Sequence, residues 1–427
     1  MTDRLIELTA SELAPRLARR ELSAEALLRA CLERIEAREP EVRAWVCLDP
    51  DAALERARAL DRGAVRGLLH GLPLGVKDIF DTCDFPTGCG TAIHAGHRPD
   101  TDAACVAAAR EAGAVVVGKT VTTELANFNP GKTRNPHRLT HTPGGSSSGS
   151  AAAVADRMVP LALGSQTAGS IVRPAGYCGV VGYKPSLGRI VRAGVKSLSE
   201  TLDTLGCLAR SVPDAALCVA ALTGDERLRD LDTHHVPRFG LCRTHEWDKA
   251  DADTRAALDT AARGLAAAGA RVEEVALPVE FASLAAVQAR IMGFEMARSL
   301  ADERIRHGDR LSPVLAGVLA DGMKLKPWDH EADVAAAFAA RARAAELFGN
   351  CDVLIAPSTT GEAPEGHAFT GDPVFGRVWT LLGLPCVHVP FTSGASGMPV
   401  GLQVVGRPGA DLHVLSAAHW MHTRLAG

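Results

Sequence analysis

Apolar residues in the first forty positions recur every third or fourth residue: Leu27, Leu28, Cys31, Leu32 and Ile35 fall on one face of a helix. Thr9 followed by Glu12 has the spacing of a capping box, which starts a helix by satisfying two of its free N–H groups. These patterns predict N-terminal helices over residues 1–60, packed on the outside of a larger body. From GLPLGVKDIF (71–80) onward the pattern changes. Short Val-rich runs such as AVVVG (114–118) alternate with Ala-rich stretches of helical period such as DAACVAAAREAG (102–113). The alternation continues with DTRAALDTAARGLAAAG (253–269) followed by RVEEVAL, and ends with three apolar runs: CDVLIAPST (351–359), LPCVHVPF (384–391) and VGLQVVG (400–406). Strand and helix in alternation predict an α/β fold, a mixed sheet containing parallel strands with helices on both faces. No Pro-rich or Gly/Ser linker and no internal repeat divides the chain. The expectation is one large domain over 1–427, with its chemistry concentrated in a core segment over 71–210.

Composition narrows the class. The 427 residues are 47% hydrophobic and 22% charged, enough to bury a large core and too apolar for a disordered chain. A net charge of -4 lacks the basic excess that nucleic-acid binding requires. No run reaches the roughly 18 apolar residues of a membrane span, and MTDRLIELTA lacks the apolar block of a signal peptide, so no membrane partner and a cytoplasmic location are expected. The 11 cysteines form no CxxC pair and read as reduced core residues.

Three motif matches point to other chemistries, and each has a better local explanation. GAVVVGKT (113–120) satisfies the phosphate-loop pattern with Lys119, yet its intervening residues Ala114, Val115, Val116 and Val117 favour a buried strand over a loop wrapped around an anion. GSSSG (145–149) fits a nucleophile elbow centred on Ser147, but turn formers rather than a strand precede it. His94 and His97 form an HxxH with no carboxylate or cysteine set beside them to complete a metal site, and they read as a solvated loop.

The remaining chemistry lies in two Gly/Ser blocks, HTPGGSSSGSAAAVA (141–155) and LGSQTAGSIVRPAGYCGVVGYKP (163–185), and in the earlier LPLGVKD, which supplies Lys77. With these three blocks in this order the chain resembles the amidase signature family. The resemblance extends to KTVTTELANFNPGKTRNPH, GLPCVHVPF and MPVGLQVVGRP, so it spans nearly the whole length. It implies that Ser170, closing the second block, is the nucleophile. It further implies that Ser146, joined to Gly145 by a cis peptide, is a bridging residue, and that Lys77 is the base. It also implies the family's single large α/β domain. One departure is visible: many members carry Asp-Thr-Gly-Gly where this chain has Gln166, Thr167, Ala168 and Gly169.

The chemistry is coherent on physical grounds. A serine hydroxyl needs an adjacent base, and no histidine motif here recommends itself. A lysine serves if burial lowers its pKa, and Ser146 relays the proton between Ser170 and Lys77. The N–H groups of Thr167, Ala168, Gly169 and Ser170 are the expected oxyanion donors, and Ser147 is expected to support the site by hydrogen bonding. Arg173, three residues past Ser170, and Gln166 are the expected substrate contacts. For Arg173 two readings stand level: capture of a substrate carboxylate, as the resemblance to malonamidase-like members implies, or an internal ion pair with an acid such as Asp203.

The expected activity is hydrolysis of a small carboxylic amide to acid and ammonia through an acyl-enzyme, with a half-amide or urea derivative as candidate substrate. Alternatives are an aryl or aliphatic acylamidase, a carbamate hydrolase, and the glutamine-cleaving subunit of a tRNA-dependent amidotransferase. From other classes come a nucleotide-binding protein and a Ser-His-Asp esterase. No cofactor and no metal are expected. The expected partners are the amide substrate and a second copy of the chain as a homodimer.

Overall fold

The computed structural model describes residues 2–425. The chain opens with helices α1 (Thr2–Glu7), α2 (Ala10–Ala18) and α3 (Ala24–Val42), then strand β1 (Trp45–Leu48) and helix α4 (Pro50–Arg62). The capping box at Thr9 and Glu12 is formed and starts α2. Asp49 caps α4 with Pro50 in its first turn. Leu27, Leu28, Cys31 and Ile35 are buried, so the periodic face of α3 is the one packed inward. The strand β1 departs from the all-helical expectation for 1–60. Its four residues are too short to register against the flanking helical periods, and pairing with a distant strand makes it a strand.

The central stretch runs β2 (Pro73–Lys77), α5 (Ala104–Glu111), β3 (Val115–Thr120), α6 (Ser148–Ala155), β4 (Leu161–Gln166), α7 (Val172–Cys178), β5 (Val181–Lys184), β6 (Thr204–Ala209) and α8 (Val212–Thr223). Next come β7 (Phe239–Leu241), α9 (Ala252–Ala267), β8 (Val272–Glu274) and the helical stretch α10 (Leu284–Ser299), α11 (Ala301–Arg306), α12 (Pro313–Lys324) and α13 (Pro327–Arg343). The chain closes with β9 (Val353–Pro357), α14 (Val374–Leu381), β10 (Cys386–Ser393), β11 (Pro399–Val405) and α15 (Asp411–Leu425). All the apolar runs read as strands are strands. No helix among the described residues is long and apolar enough to cross a membrane.

The strands form one 11-stranded sheet in the order β1-β3-β2-β4-β6-β5-β10-β11-β9-β7-β8. It is mixed: β2 runs parallel to β3 and β4, and β7 runs parallel to β8 and β9, while β4–β6, β5–β6, β10–β5, β10–β11, β11–β9 and β1–β3 are antiparallel. Both faces are covered, which is why the strands read as continuous apolar runs without alternation. β2, β3 and β4 are buried along their full lengths, so a polar side chain on them enters a dry interior. The wholly buried helix α6 fits against this sheet because its residues are small. A Cβ on Gly149 would lie 2.2 Å from the Ala44 carbonyl oxygen and 2.3 Å from the Val121 nitrogen, so only glycine allows the backbones to approach this closely.

The GAVVVGKT segment is the strand β3, not a phosphate loop. Lys119 is fully buried and donates to the Phe80 carbonyl (2.7 Å) and Thr87 Oγ1 (2.7 Å), with Asp78 Oδ1 at 3.6 Å. Replacing Lys119 with Met strands the Asp78 carboxylate in the interior, and removing one partner of a buried pair costs about 3–5 kcal/mol. A Lys119→Met variant is therefore expected to show a markedly lower urea midpoint and no change in nucleotide binding. An unaltered midpoint contradicts this structural assignment.

Candidate active site

Lys77 is the last residue of β2, a strand hydrogen-bonded on both sides, and its side chain is fully buried. Its Nζ is hydrogen-bonded to Ser146 Oγ at 2.7 Å and to Ser165 Oγ at 2.8 Å. Burial disfavours the ammonium form and brings the pKa down to about 7; Asp203 opposes that shift and Arg173 adds to it. A lysine that is normally a strong cation is thereby poised to exchange a proton near neutrality.

Ser146 lies in the turn between β3 and α6, buried, and joined to Gly145 by a cis peptide bond. Gly144 turns the chain at φ 81°, and a Cβ there would sit 2.8 Å from Pro174 Cα, so this turn lies directly against α7. Ser147 Oγ is also buried and spans the Ser165 backbone, donating to its carbonyl at 3.3 Å and accepting from its N–H at 3.4 Å. Turn residues precede it and its hydroxyl is occupied, so the geometry is that of a support between the two Gly/Ser blocks.

Ser170 follows β4 in the turn that leads into α7, and it is partly exposed. Its Oγ makes no hydrogen bond to protein among the described residues, so the relay is closed on the Lys77–Ser146 side and open at Ser170. The turn is held from beneath. Gln166 Oε1 accepts from Ile171 N (2.9 Å) and Val172 N (3.0 Å), and its Nε2 donates to Thr380 Oγ1 (2.9 Å). Gln166, expected to touch substrate, therefore does not: it is 1% exposed and both ends of its amide are used internally.

Three successive carbonyls in this turn are held by donors. The Thr167 carbonyl accepts from Gln288 Nε2 (2.8 Å), the Ala168 carbonyl from Thr380 Oγ1 (2.8 Å) and the Gly169 carbonyl from Arg173 N (2.8 Å). In a trans peptide the C=O and the next N–H point in opposite directions, so these bonds also fix where the N–H groups of Ala168, Gly169 and Ser170 point. Those three N–H groups donate to no protein acceptor among the described residues. They form a fixed set of donors beside the Ser170 hydroxyl, the arrangement that stabilises an oxyanion.

Ser170, Thr167, Ala168 and Arg173 line a narrow crevice whose far wall includes Ala126, at φ 56°, and Met292 and Met296. Thr167 and Leu198 also border a larger cavity of about 330 Å³ that reaches Ser165 and Asp203. Arg173 forms no ion pair with Asp203. Its terminal nitrogens donate to the Gly371 (2.7 Å) and Gly145 (2.6 Å) carbonyls, and its Nε is buried without a partner. Burial without a paired acid brings its pKa down to about 10. Asp203 accepts instead from Thr167 Oγ1 (2.6 Å) and from the Leu198 and Ser199 N–H groups (2.8 and 3.1 Å).

His94 and His97 sit near each other with ring centroids 6.3 Å apart, and His94 Nε2 is hydrogen-bonded to Glu303 Oε1 (2.8 Å). Among the described residues, Cys83, Asp84 and Asp102 alone have the proximity of a metal-ligand group, and Arg56 and Arg110 are salt-bridged to its carboxylates. The sequence reading missed Ser165, Asp203, Gln288 and Thr380. Ser165 carries a faint signal, a hydroxyl in the otherwise apolar strand LALGSQ; the others come from distant segments with no local mark.

A family model described as Amidase matches residues 26–415. The chain is 33% identical to a glutamyl-tRNA(Gln) amidotransferase subunit of Geobacter metallireducens over 99% of each chain. A solved structure described as an amidase superposes with a TM-score of 0.91 at 35% identity, covering 98% of this chain and 100% of that one. The peptide amidase of Stenotrophomonas maltophilia does so with a TM-score of 0.83 at 31% identity, covering 98% and 97%.

Two measurements probe this geometry. If Lys77 must be neutral to act, kcat/KM rises as pH rises through about 7. Because Asp203 raises and Arg173 lowers the Lys77 pKa, Asp203→Asn moves that limb to lower pH and Arg173→Met moves it to higher pH. A limb that stays put in both variants removes Lys77 from the titration. Separately, Gln166→Leu leaves the Ile171 and Val172 N–H groups unpaired at roughly 1–3 kcal/mol each, so both the denaturation midpoint and kcat should fall.

Proposed function

The chain belongs to the amidase family, a hydrolase of amide C–N bonds, and from that premise we propose that Ser170 is its nucleophile, Ser146 its proton relay and Lys77 its base. The observation that carries this reading is the fully buried Lys77 amine, hydrogen-bonded to Ser146 Oγ and titrating at about 7. With substrate in the crevice, Ser170 Oγ attacks the amide carbon and its proton passes to Ser146, whose own proton passes to Lys77. The developing oxyanion is met by the N–H groups of Ala168, Gly169 and Ser170, worth about 2.7–4 kcal/mol for a single such donor. The proton then returns through Ser146 to the leaving nitrogen, the C–N bond breaks, and water hydrolyses the acyl-enzyme by the same route.

The substrate we propose is a small amide that carries a carboxylate, such as the half-amide of a dicarboxylic acid or a carboxylated urea. Arg173 lines the crevice beside Ser170 as a buried cation with no salt-bridged acid among the described residues. A bound carboxylate supplies the missing countercharge.

A second reading, a glutamine-cleaving subunit, is favoured by the amidotransferase relatives, and glutamine too bears a carboxylate. The alignment to the Geobacter protein runs over 486 positions against the 427 residues here, so that relative carries insertions this chain lacks. The solved amidase is matched end to end, which favours a free-standing enzyme.

Purified protein should release ammonia from half-amides or carboxylated ureas faster than from neutral amides, and hydroxylamine should divert the acyl-enzyme to a hydroxamate. Ser170→Ala should abolish both products, and a variant that keeps them refutes the assignment. Arg173→Met should lower kcat/KM for the acidic substrate relative to a neutral amide by about tenfold or more, the weight of a hydrogen bond to a charged group. Ammonia release confined to glutamine points to the second reading.

A further inference from the structure

The donor loop before Ser170 is held in part by a residue far away in sequence. Gln288 is fully buried on α10, one helical turn before Met292 and two before Met296, the two methionines that line the Ser170 crevice. Its Nε2 donates to the Thr167 carbonyl at 2.8 Å. Its Oε1 accepts from Arg377 Nη1 at 2.5 Å, and Arg377 lies on α14. The same helix packs on the loop: a Cβ on Gly376 would lie 2.6 Å from the Ala168 carbonyl oxygen, and Thr380 donates to that carbonyl.

An amide side chain has two ends of similar shape, and what faces each end decides which is which. A guanidinium has only donors, so Arg377 requires the oxygen of Gln288 and thereby turns the NH₂ end toward Thr167. The Thr167 carbonyl is then fixed, and the N–H of Ala168, in the same peptide plane, is fixed pointing the opposite way. Arg377 forms no salt bridge with an acid among the described residues; its hydrogen bond is to Gln288.

We propose that Gln288 is a positioning residue of the active site, with Arg377 fixing its amide orientation, and that together they hold the Thr167–Ala168 peptide in the orientation that offers the Ala168 N–H to the oxyanion. Neither side chain touches substrate; both act through the loop. The inference rests on the proposed role of Ser170 and deepens it.

The test compares Gln288→Glu and Gln288→Met with the parent on its best amide substrate. In Gln288→Glu the new carboxylate pairs with Arg377, and its second oxygen, now an acceptor, faces the Thr167 carbonyl and repels it. The protein stays folded, and kcat falls by about 100-fold, the size of losing one oxyanion donor, while KM changes by less than about threefold. Gln288→Met keeps the volume and removes the donor, with a smaller fall in kcat; Arg377→Met, which frees the amide to turn over, behaves likewise. Affinity for an aldehyde or boronic acid analogue, which forms a tetrahedral adduct, drops in parallel with kcat, while affinity for the acid product and the acid limb of the pH profile do not move. A merely structural residue would shift the denaturation midpoint without this split. Folded Gln288→Glu protein with unchanged kcat and analogue affinity overturns the inference. If Ser170→Ala is itself active, it is the reading of the site that fails.

Discussion

The site depends on one desolvated amine. A primary ammonium in water is charged at any physiological pH and is useless as a base; placed at the end of a strand covered on both faces, Lys77 loses hydration and its pKa comes down to about 7. That environment exists only because β2 lies between two parallel neighbours with α6 packed beside them, and α6 can pack there only because it is built almost wholly of serine, alanine and glycine. The fold therefore sets the acidity of its base through burial. The two serine hydroxyls at 2.7 and 2.8 Å keep the buried nitrogen hydrogen-bonded in either protonation state.

The second requirement is a rigid donor set. The turn from Gln166 to Ile171 has no regular secondary structure of its own, yet nearly every polar group pointing into the protein is met: Gln166 caps the start of α7, and Gln288, Thr380 and the Arg173 N–H take three consecutive carbonyls. What remains unmet faces the crevice. A substrate oxyanion entering this turn meets dipoles already oriented, so little reorganisation accompanies the reaction.

Arg173 joins two functions in one side chain. Its terminal nitrogens tie the Gly145 carbonyl, just before Ser146, to the Gly371 carbonyl, so it clamps the relay serine onto the helix that follows the nucleophile. Its charge remains without a salt-bridged acid in the interior and raises the demand for an anion beside Ser170. A guanidinium suits both tasks because it stays cationic when buried and offers five donors in one plane.

The sequence alone determined the α/β class, the order of the principal strands and the three segments that carry Lys77, Ser146 and Ser170, because burial on two faces leaves continuous apolar runs and tight turns leave glycine and serine. It also dismissed the phosphate-loop reading of Lys119 correctly, since a Val-rich run is a strand whatever motif it satisfies. It did not show β1, whose four residues become a strand only by pairing with β3. It assigned Gln166 to the substrate when that side chain is spent inside, and it left Arg173 divided between two partners of which the acid, Asp203, is engaged elsewhere. Gln288, Thr380 and Asp203 carried no local mark at all. Hydrogen-bond direction, burial and the pKa of an amine depend on which atoms meet across hundreds of residues, and only the tertiary structure brings them together.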